Sequence, residues 1–282
     1  MLKLISVIVP CFNQEDLILQ TLESVLSQTY LNWECIIVND GSTDNSQIKI
    51  QEFIKNDSRF KLINIKNSGV SVARNAGVAN SNGTYLFPLD GDDYINKDCL
   101  EKCLSQFEKN PNVKLVYTGA EFFGKETGPW ILPDFDYTTM LKYNMVHNSS
   151  MFLREDFDKV GGYRTNMVNG LEDWDFFIAL LEPYAKEQVM KIHEPLFHYR
   201  VTEKSRRNTL ITTSKFNLML DNIVHNNFKI YQKYYPDIFE RIQKYDYYHV
   251  MMNKPLIKKI VSFYNQMHKI KSRFNKKIHN AE

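Results

Sequence analysis

Residues 4–9 form an unbroken apolar, β-branched run that stops at Pro10. That is the pattern of a central strand covered on both faces. Asn13, Gln14, Glu15 and Asp16 then lead into Leu17, Ile18, Leu19, Leu22, Val25 and Leu26, which are apolar at helical spacing. A second apolar strand is predicted over 33–38, ending in Asn39-Asp40-Gly41-Ser42, and Asp44 or Asn45 caps a helix that reaches about Lys55. A third strand follows at 60–65, a third helix at 71–79 and a fourth strand at 84–89. This alternation predicts an α/β fold with a largely parallel sheet, right-handed crossovers and helices on both faces. Further strands are predicted at 113–118, 148–153 and 195–199, with a loop rich in Gly, Pro and aromatics across 121–136. From about residue 212, apolar residues recur at helical intervals, and Pro236 and Pro255 break the pattern into pieces.

Ligands of open α/β sheets bind beyond the carboxyl ends of the strands. Polar clusters stand at each of those ends here. Asn13 and Glu15 follow the first strand, Asp40 and Ser42 the second, Asn67, Gly69, Arg74 and Asn75 the third, and Asp90, Asp92 and Asp93 the fourth. All should converge on one crevice. The last cluster is the most demanding, because an apolar run stops in three carboxylates within four positions. Each such charge raises the free energy of ionising the next unless a cation sits among them. A hard divalent ion, Mg²⁺ or Mn²⁺, accepts carboxylate oxygen and keeps places for substrate phosphates. An acidic surface turn would use the same Asp-Gly-Asp residues, but four successive strand ends carrying hydrogen-bonding groups favour the site. Pro10-Cys11-Phe12-Asn13 stands where a dinucleotide fingerprint would follow the first strand, and no Walker A motif occurs, so hydride transfer to NAD and P-loop ATP hydrolysis are disfavoured.

Composition narrows the picture further. The chain has 282 residues, 43% hydrophobic, enough for one sizeable core or a catalytic domain with an appendage. A formal net charge of +2 argues against a nucleic-acid partner for the chain as a whole. No apolar run approaches the roughly 20 residues that span a bilayer. The N-terminus leads into a strand without a signal-peptide cleavage site, so a cytoplasmic location is expected. Cys11, Cys35, Cys99 and Cys103 lack C-x-x-C spacing and are expected as buried thiols.

Four segments taken together, 7–15 (VIVPCFNQE), 38–44 (VNDGSTD), 67–77 (NSGVSVARNAG) and 89–93 (LDGDD), resemble the family 2 glycosyltransferases of the GT-A fold, in the family's order and spacing. The resemblance is strong over 4–96, looser to about Arg200, and then fades. It implies that Pro10, Asn13 and Glu15 border a nucleotide base, with Ser42, Asn67 and Gly69 nearby. Asp40 would accept from the uracil N–H and Arg74 would contact base or ribose. Asp90 would lie near the ribose, while Asp92, with Asp93, would ligate Mn²⁺ or Mg²⁺ bridging a diphosphate. Such a metal makes UDP a better leaving group. The family's second acidic motif is met at Leu171-Glu172-Asp173-Trp174-Asp175. By resemblance Asp173 is the base that takes the proton of the acceptor hydroxyl, and Glu172 orients the acceptor or supports the loop. Helix-starting acids favoured by the dipole are the plainer reading of these residues alone, and the upstream motifs turn the balance to Asp173 as the base. His198 would reach the metal, and Arg200 or Arg206 the phosphates. Trp130 and His147 are weaker candidates for acceptor contacts, since an aromatic anchor and a structural histidine serve as well.

Residues 254–277 carry eight basic residues and no acid, interleaved with apolar positions. A basic amphipathic helix of this kind lies on an anionic membrane surface, or else packs on the catalytic domain or a second subunit. The expectation is therefore a GT-A catalytic domain over 1–205, with a nucleotide half at 1–96 and an acceptor half at 97–205, and a helical extension over 206–282. It would move a sugar from a UDP-sugar to a glycan or lipid-linked saccharide with inversion, and its location would be cytoplasmic or peripheral on the inner face of the membrane. The competing class is an inactive nucleotide-sugar-binding scaffold. Oligomeric state, homo-oligomer or monomer, has no sequence signature.

Overall fold

The computed structural model describes residues 3–184, 186–203 and 214–237. Its chain divides into two compact units, Met1–Ile230 and Tyr231–Glu282. The first half of unit one follows the predicted alternation: β1 (Ile5–Cys11), α1 (Ile18–Leu26), β2 (Trp33–Asp40), α2 (Ser46–Ile54), β3 (Phe60–Ile65), α3 (Val70–Ala79) and β4 (Tyr85–Pro88). These four strands lie in the parallel order β3-β2-β1-β4. Every residue of β1 is buried, as its unbroken apolar run demands. The strand does not stop at Pro10. It pairs with β2 through Pro10↔Val38 and Cys11↔Asn39, whereas its pairing with β4 ends at Ile8↔Pro88. On the β4 side the ladder has run out before Pro10, so the missing N–H costs no bond there. Helix α1 buries Ile18, Leu22 and Val25, and Thr21 Oγ1 donates to the Asp93 carbonyl at 2.6 Å, tying the helix to the acidic turn.

The second half is mixed. It comprises β5 (Tyr94–Ile95), α4 (Cys99–Lys109), β6 (Leu115–Gly124), β7 (Gly128–Trp130), α5 (Tyr137–Met140), β8 (Met151–Leu153), α6 (Arg154–Val160), α7 (Glu172–Leu181), a 3₁₀ turn at Lys186–Gln188 and β9 (Val189–Val201), followed by α8 (Ser214–Asn226) and α9 (Phe228–Tyr234). The sheet continues β4-β8-β6-β9-β5, with β7 paired on β6. Parallel character is therefore confined to the β3-β2-β1-β4 block and to β6-β9. The loop expected over 121–136 is in part a hairpin, in which Ala120 faces Trp130 and Phe122 faces Gly128. The 13-residue β9 runs beside β6 from Leu115↔Val189 to Gly124↔Val201, with a register shift around Gly119. A Cβ on Gly119 would stand 2.5 Å from the His193 carbonyl oxygen and 2.8 Å from that of Glu194, so only glycine permits this irregularity.

All four cysteines are free and buried, as expected. Among the described residues no helix is long and apolar enough to cross a membrane. The basic segment 254–277 and Arg206 lie outside the described residues.

Candidate active site

A cavity of about 1670 Å³ opens beyond the carboxyl ends of β1, β2 and β4 and against β9 and the start of α7. Pro10, Asn13, Glu15, Asp40, Asn67, Gly69, Arg74, Asp90, Asp92, Asp93, Trp130, His147, Glu172, Asp173 and Arg200 all line it. The structure thus brings together residues from the first four predicted strand ends, but not Asn75, whose side chain instead exchanges hydrogen bonds with the Tyr163 backbone. Ser42 sits behind the wall, where its Oγ accepts from the Asn13 N–H at 3.0 Å. His198 is turned elsewhere. Its ring stacks on Tyr94 at 4.3 Å and its Nε2 lies 2.9 Å from Asn96 Oδ1, while Tyr199, the next residue of β9, lines the cavity.

On the nucleotide side, several candidate residues first build the loops. Asn13 is left-handed (φ 52°), and its Oδ1 accepts from Thr43 N–H at 2.8 Å. The Glu15 carboxylate accepts from the Asn45 backbone N–H at 3.1 Å and from its side-chain amide at 2.7 Å. Both Asp40 oxygens are engaged as well, taking the N–H groups of Ser68 (2.7 Å) and Gly69 (2.9 Å) and so shaping the turn that starts α3. Each carboxylate oxygen keeps a further lone pair for a ligand. Gly41 (φ +70°) lets the β2–α2 turn pass close to the backbone of Asn67.

Arg74, expected at the base or ribose, is a buried strut. It is 2% exposed, with Nη2 donating to Asp90 at 2.6 Å and Nη1 to Glu172 at 2.9 Å. Burial lowers the proton affinity of its guanidinium, but the Asp90 and Glu172 charges outweigh that and hold its pKa above the ordinary value. The acidic turn of the nucleotide half is thereby tied to the first residue of α7. Asp93 is 1% exposed, and burial, then the charges of Asp92 and Asp90, keep its carboxyl well above the usual range. Arg200 clasps this turn: its N–H donates to Asp93 Oδ1 at 2.8 Å, its Nε to the Asp92 carbonyl at 2.7 Å, and its Nη2 to Gln20.

On the opposite wall, Gly170 and Leu171 both have positive φ (116° and 61°) before α7 begins. For leucine this conformation costs about 1–3 kcal/mol, a strain common at functional sites. It sets Glu172 and Asp173 at the helix start. Asp173 is half-buried; its Oδ1 accepts from the Trp174 N–H at 2.8 Å and its Oδ2 from Asn144 Nδ2 at 3.1 Å. Burial, then the adjacent Glu172 charge, push its carboxyl from 3.8 up to about 6, against the pull of Arg74. Asp175, two residues on, is instead structural, paired with Arg164 at 3.0 Å and Asn227 at 2.8 Å. Trp130 stacks on Phe122 (5.3 Å between centroids) and meets Tyr199 edge-on (5.5 Å), so these rings form an aromatic wall. Sequence reasoning missed Asn144, Phe122 and Tyr199. The alternation along β9 would have exposed Tyr199 as cavity-facing had its pairing been known, whereas Asn144 carries no local signal.

A cation could be held where the acidic turn meets the cavity. Asp92 is half-buried and lines the cavity, and the raised Asp93 carboxyl beside it is the kind of group a divalent ion would let ionise. Among the described residues no three His, Cys, Asp or Glu side chains form a ready-made cage. A Mg²⁺ or Mn²⁺ ion completed by substrate phosphates needs only one or two carboxylates.

This arrangement is the GT-A fold of nucleotide-diphospho-sugar transferases. The structure of S. aureus TarS 1-349 in complex with UDP-GlcNAc matches it with a TM-score of 0.63 at 15% identity, over 82% of this chain and 74% of that one. The mannosyltransferase PcManGT from Pyrobaculum calidifontis, in complex with GDP-Man and Mn²⁺, matches with a TM-score of 0.56 at 16% identity, over 93% of this chain and 79% of that one. The chain belongs to glycosyl transferase family 2, whose model matches residues 6–173. Among its relatives, the uncharacterized glycosyltransferase EpsJ of Bacillus subtilis is 38% identical over 222 residues, 73% of this chain and 63% of that protein. The chondroitin synthase of Pasteurella multocida is 30% identical over 185 residues, 64% of this chain, and the match spans only 19% of that much longer protein.

Proposed function

We propose that this chain is a metal-dependent, inverting glycosyltransferase that moves a sugar from a UDP-sugar to a hydroxyl of a glycan or lipid-linked saccharide, in the synthesis of a bacterial surface polysaccharide. Asp173 carries the reading. It is a half-buried carboxyl with a pKa of about 6, in the same cavity as the acidic turn after β4. A base tuned near neutrality takes the acceptor proton efficiently, and one such carboxylate suffices for a single displacement. Asn144 and the Trp174 N–H orient it, and Arg74 holds Glu172 and Asp90 in register with it. Asp40 would accept the uracil N–H. Support for a uridine donor comes from the UDP-GlcNAc complex of TarS, and support for Mn²⁺ from the PcManGT complex.

Asp92, with Asp93 behind it, would hold Mn²⁺ or Mg²⁺. Bound there, the ion would neutralise charge on the departing diphosphate. His198, committed to Tyr94 and Asn96, is left out of this ligand set. The reading places the catalytic unit on the cytoplasmic side, with residues 254–277 as its contact to an anionic membrane surface.

The test is UDP release from a panel of UDP-sugars, with and without Mn²⁺. Asp92→Ala and Asp173→Asn should each reduce turnover by about 10²-fold or more. Wild-type protein that binds UDP but releases none from any sugar nucleotide, metal present, would hand the case to the scaffold reading.

A further inference from the structure

Four consecutive side chains at the start of α7 are each tied to a residue elsewhere in the fold. Glu172 accepts from Arg74 of α3 at 2.9 Å, and Asp173 from Asn144 in the loop after α5 at 3.1 Å. The indole Nε1 of Trp174 donates to the Met140 carbonyl, at the end of α5, at 2.7 Å. Asp175 is held by Arg164 and by the carboxyl end of α8. A strained residue such as Leu171 persists only where its surroundings over-determine it, and these ties fix the turn that follows it.

The last tie is the one that a helix start does not require. An acid in the first turn gains from the dipole while facing water. Asp175 is instead fully buried, and burial pushes its carboxyl above the ordinary value, against the pull of Arg164. Its Oδ1 accepts from Asn227 Nδ2 at 2.8 Å and from Asn226 Nδ2 at 3.2 Å, and its Oδ2 from Arg164 Nη1 at 3.0 Å. Asn227, itself buried, accepts through Oδ1 from the same Arg164 nitrogen at 3.1 Å and donates through Nδ2 to the Ile223 carbonyl at 3.0 Å. Asn226 and Asn166 exchange amide hydrogen bonds at 2.9 and 3.1 Å. A well-packed apolar residue at position 175 would stabilise the fold as well or better, because taking a charge out of water costs about what its pairing returns. What a hydrogen-bonded charge adds is direction. Its partners admit one rotation and one height of the helix that carries it.

The same helix reaches the cavity at its other end. Phe216, Met219, Ile223 and Asn227 recur at intervals of three or four residues and so share one face. Met219 and Ile223 are buried, Phe216 lines the cavity, and Asn227 closes the stripe on Asp175. Asp175 and Asn227 do not line the cavity, so they act on its contents only through α7. We infer that Asn227, with Asn226 beside it, is a positioning residue for the Asp173 base: through Asp175 it fixes the first turn of α7, so that a helix beyond the family-matched stretch 6–173 completes the active site. This role rests on the glycosyltransferase reading and extends it to a segment that the reading does not use.

The test reads turnover and binding separately on the full chain with Mn²⁺. UDP reports affinity, and turnover is the release of UDP to water from the sugar nucleotide that wild type hydrolyses fastest. Asn227→Leu keeps the volume and removes the amide. A misplacement of about 1 Å costs on the order of 10²-fold, so kcat of the folded variant should fall by about 10- to 100-fold. KM for the sugar nucleotide and UDP affinity should stay within about twofold of wild type, because Asp40 ends β2 and Asp90 and Asp92 follow β4. Asn226→Ala removes the longer bond from a half-buried side chain, which the fold should tolerate, and should lower kcat by about threefold. Should Asn227→Leu fail to fold, Asn226→Ala decides alone. An unchanged kcat in the deciding variant would overturn the inference. So would a kcat that falls only in step with UDP affinity, which would make the asparagines a brace of the fold and nothing more. Wild-type protein that binds UDP yet releases none from any sugar nucleotide would overturn the glycosyltransferase reading, and the positioning role with it.

Discussion

Replacing Asp173 by Asn should slow transfer sharply and stabilise the protein. The carboxyl titrates at 3.8 in an ordinary setting and at about 6 in the folded site. Between those values the native state binds more protons than the unfolded chain, so stability falls as pH rises. The favourable contribution is complete below 3.8 and gone once pH has passed 6. At 1.36 kcal/mol per factor of ten in proton affinity, ionising this group in place costs about 3 kcal/mol. Asp173 is only half-buried, and water screens part of that, so about 1.5 kcal/mol is the effect to look for. Asparagine is neutral at every pH and keeps an acceptor for the Trp174 N–H. In urea titrations Asp173→Asn should exceed wild type by about 1.5 kcal/mol at pH 7.5 and converge with it near pH 4. Wild-type kcat/KM should rise with pH through about 6, and the variant should lose that limb along with about 10²- to 10⁴-fold in rate. A variant less stable than wild type at pH 7.5, or a stability difference that does not change with pH, would refute the account of Asp173 as a destabilised base.

Arg74→Met leaves Asp90 and Glu172 without their buried counter-charge and should cost about 3–5 kcal/mol by denaturant titration, where a loss under 1 kcal/mol would show the strut to be dispensable. Asp40→Ala removes the acceptor of the Ser68 and Gly69 N–H groups, so hydrogen exchange at those two amides should accelerate and stability fall by about 2–3 kcal/mol, together with UDP affinity. Gly41→Ala combines a left-handed φ of 70° with a Cβ 2.7 Å from the Asn67 nitrogen, and should destabilise by about 1–3 kcal/mol, read as a drop in melting midpoint.

The parallel half of the fold was legible because its information is local. An unbroken apolar run demands burial on both faces, helical spacing demands a covering layer, and the polar residues left at each strand end must share one edge of the sheet. From that alone, residues as far apart in sequence as Asn13, Asp40, Arg74 and Asp92 could be assigned to one cavity, and they line one. The motifs that carry the family resemblance lie in the same stretch.

What the chain could not disclose locally was the work each side chain does. Arg74 and Glu172 are 98 positions apart, and only folding brings the guanidinium between Glu172 and Asp90, where removal from water makes pairing compulsory. Strand β6 pairs with β7 within residues 120–130, but it also pairs with β9 from Leu115↔Val189 to Gly124↔Val201, a partner that no window around residues 121–130 contains. That pairing also decides, by strand parity, that Tyr199 faces the cavity and His198 faces Tyr94. The sequence by itself determined which strands are buried and where their polar ends collect. The tertiary structure decided which of those polar groups brace one another and which are left for a ligand, because burial, unlike residue type, depends on what the rest of the chain brings alongside.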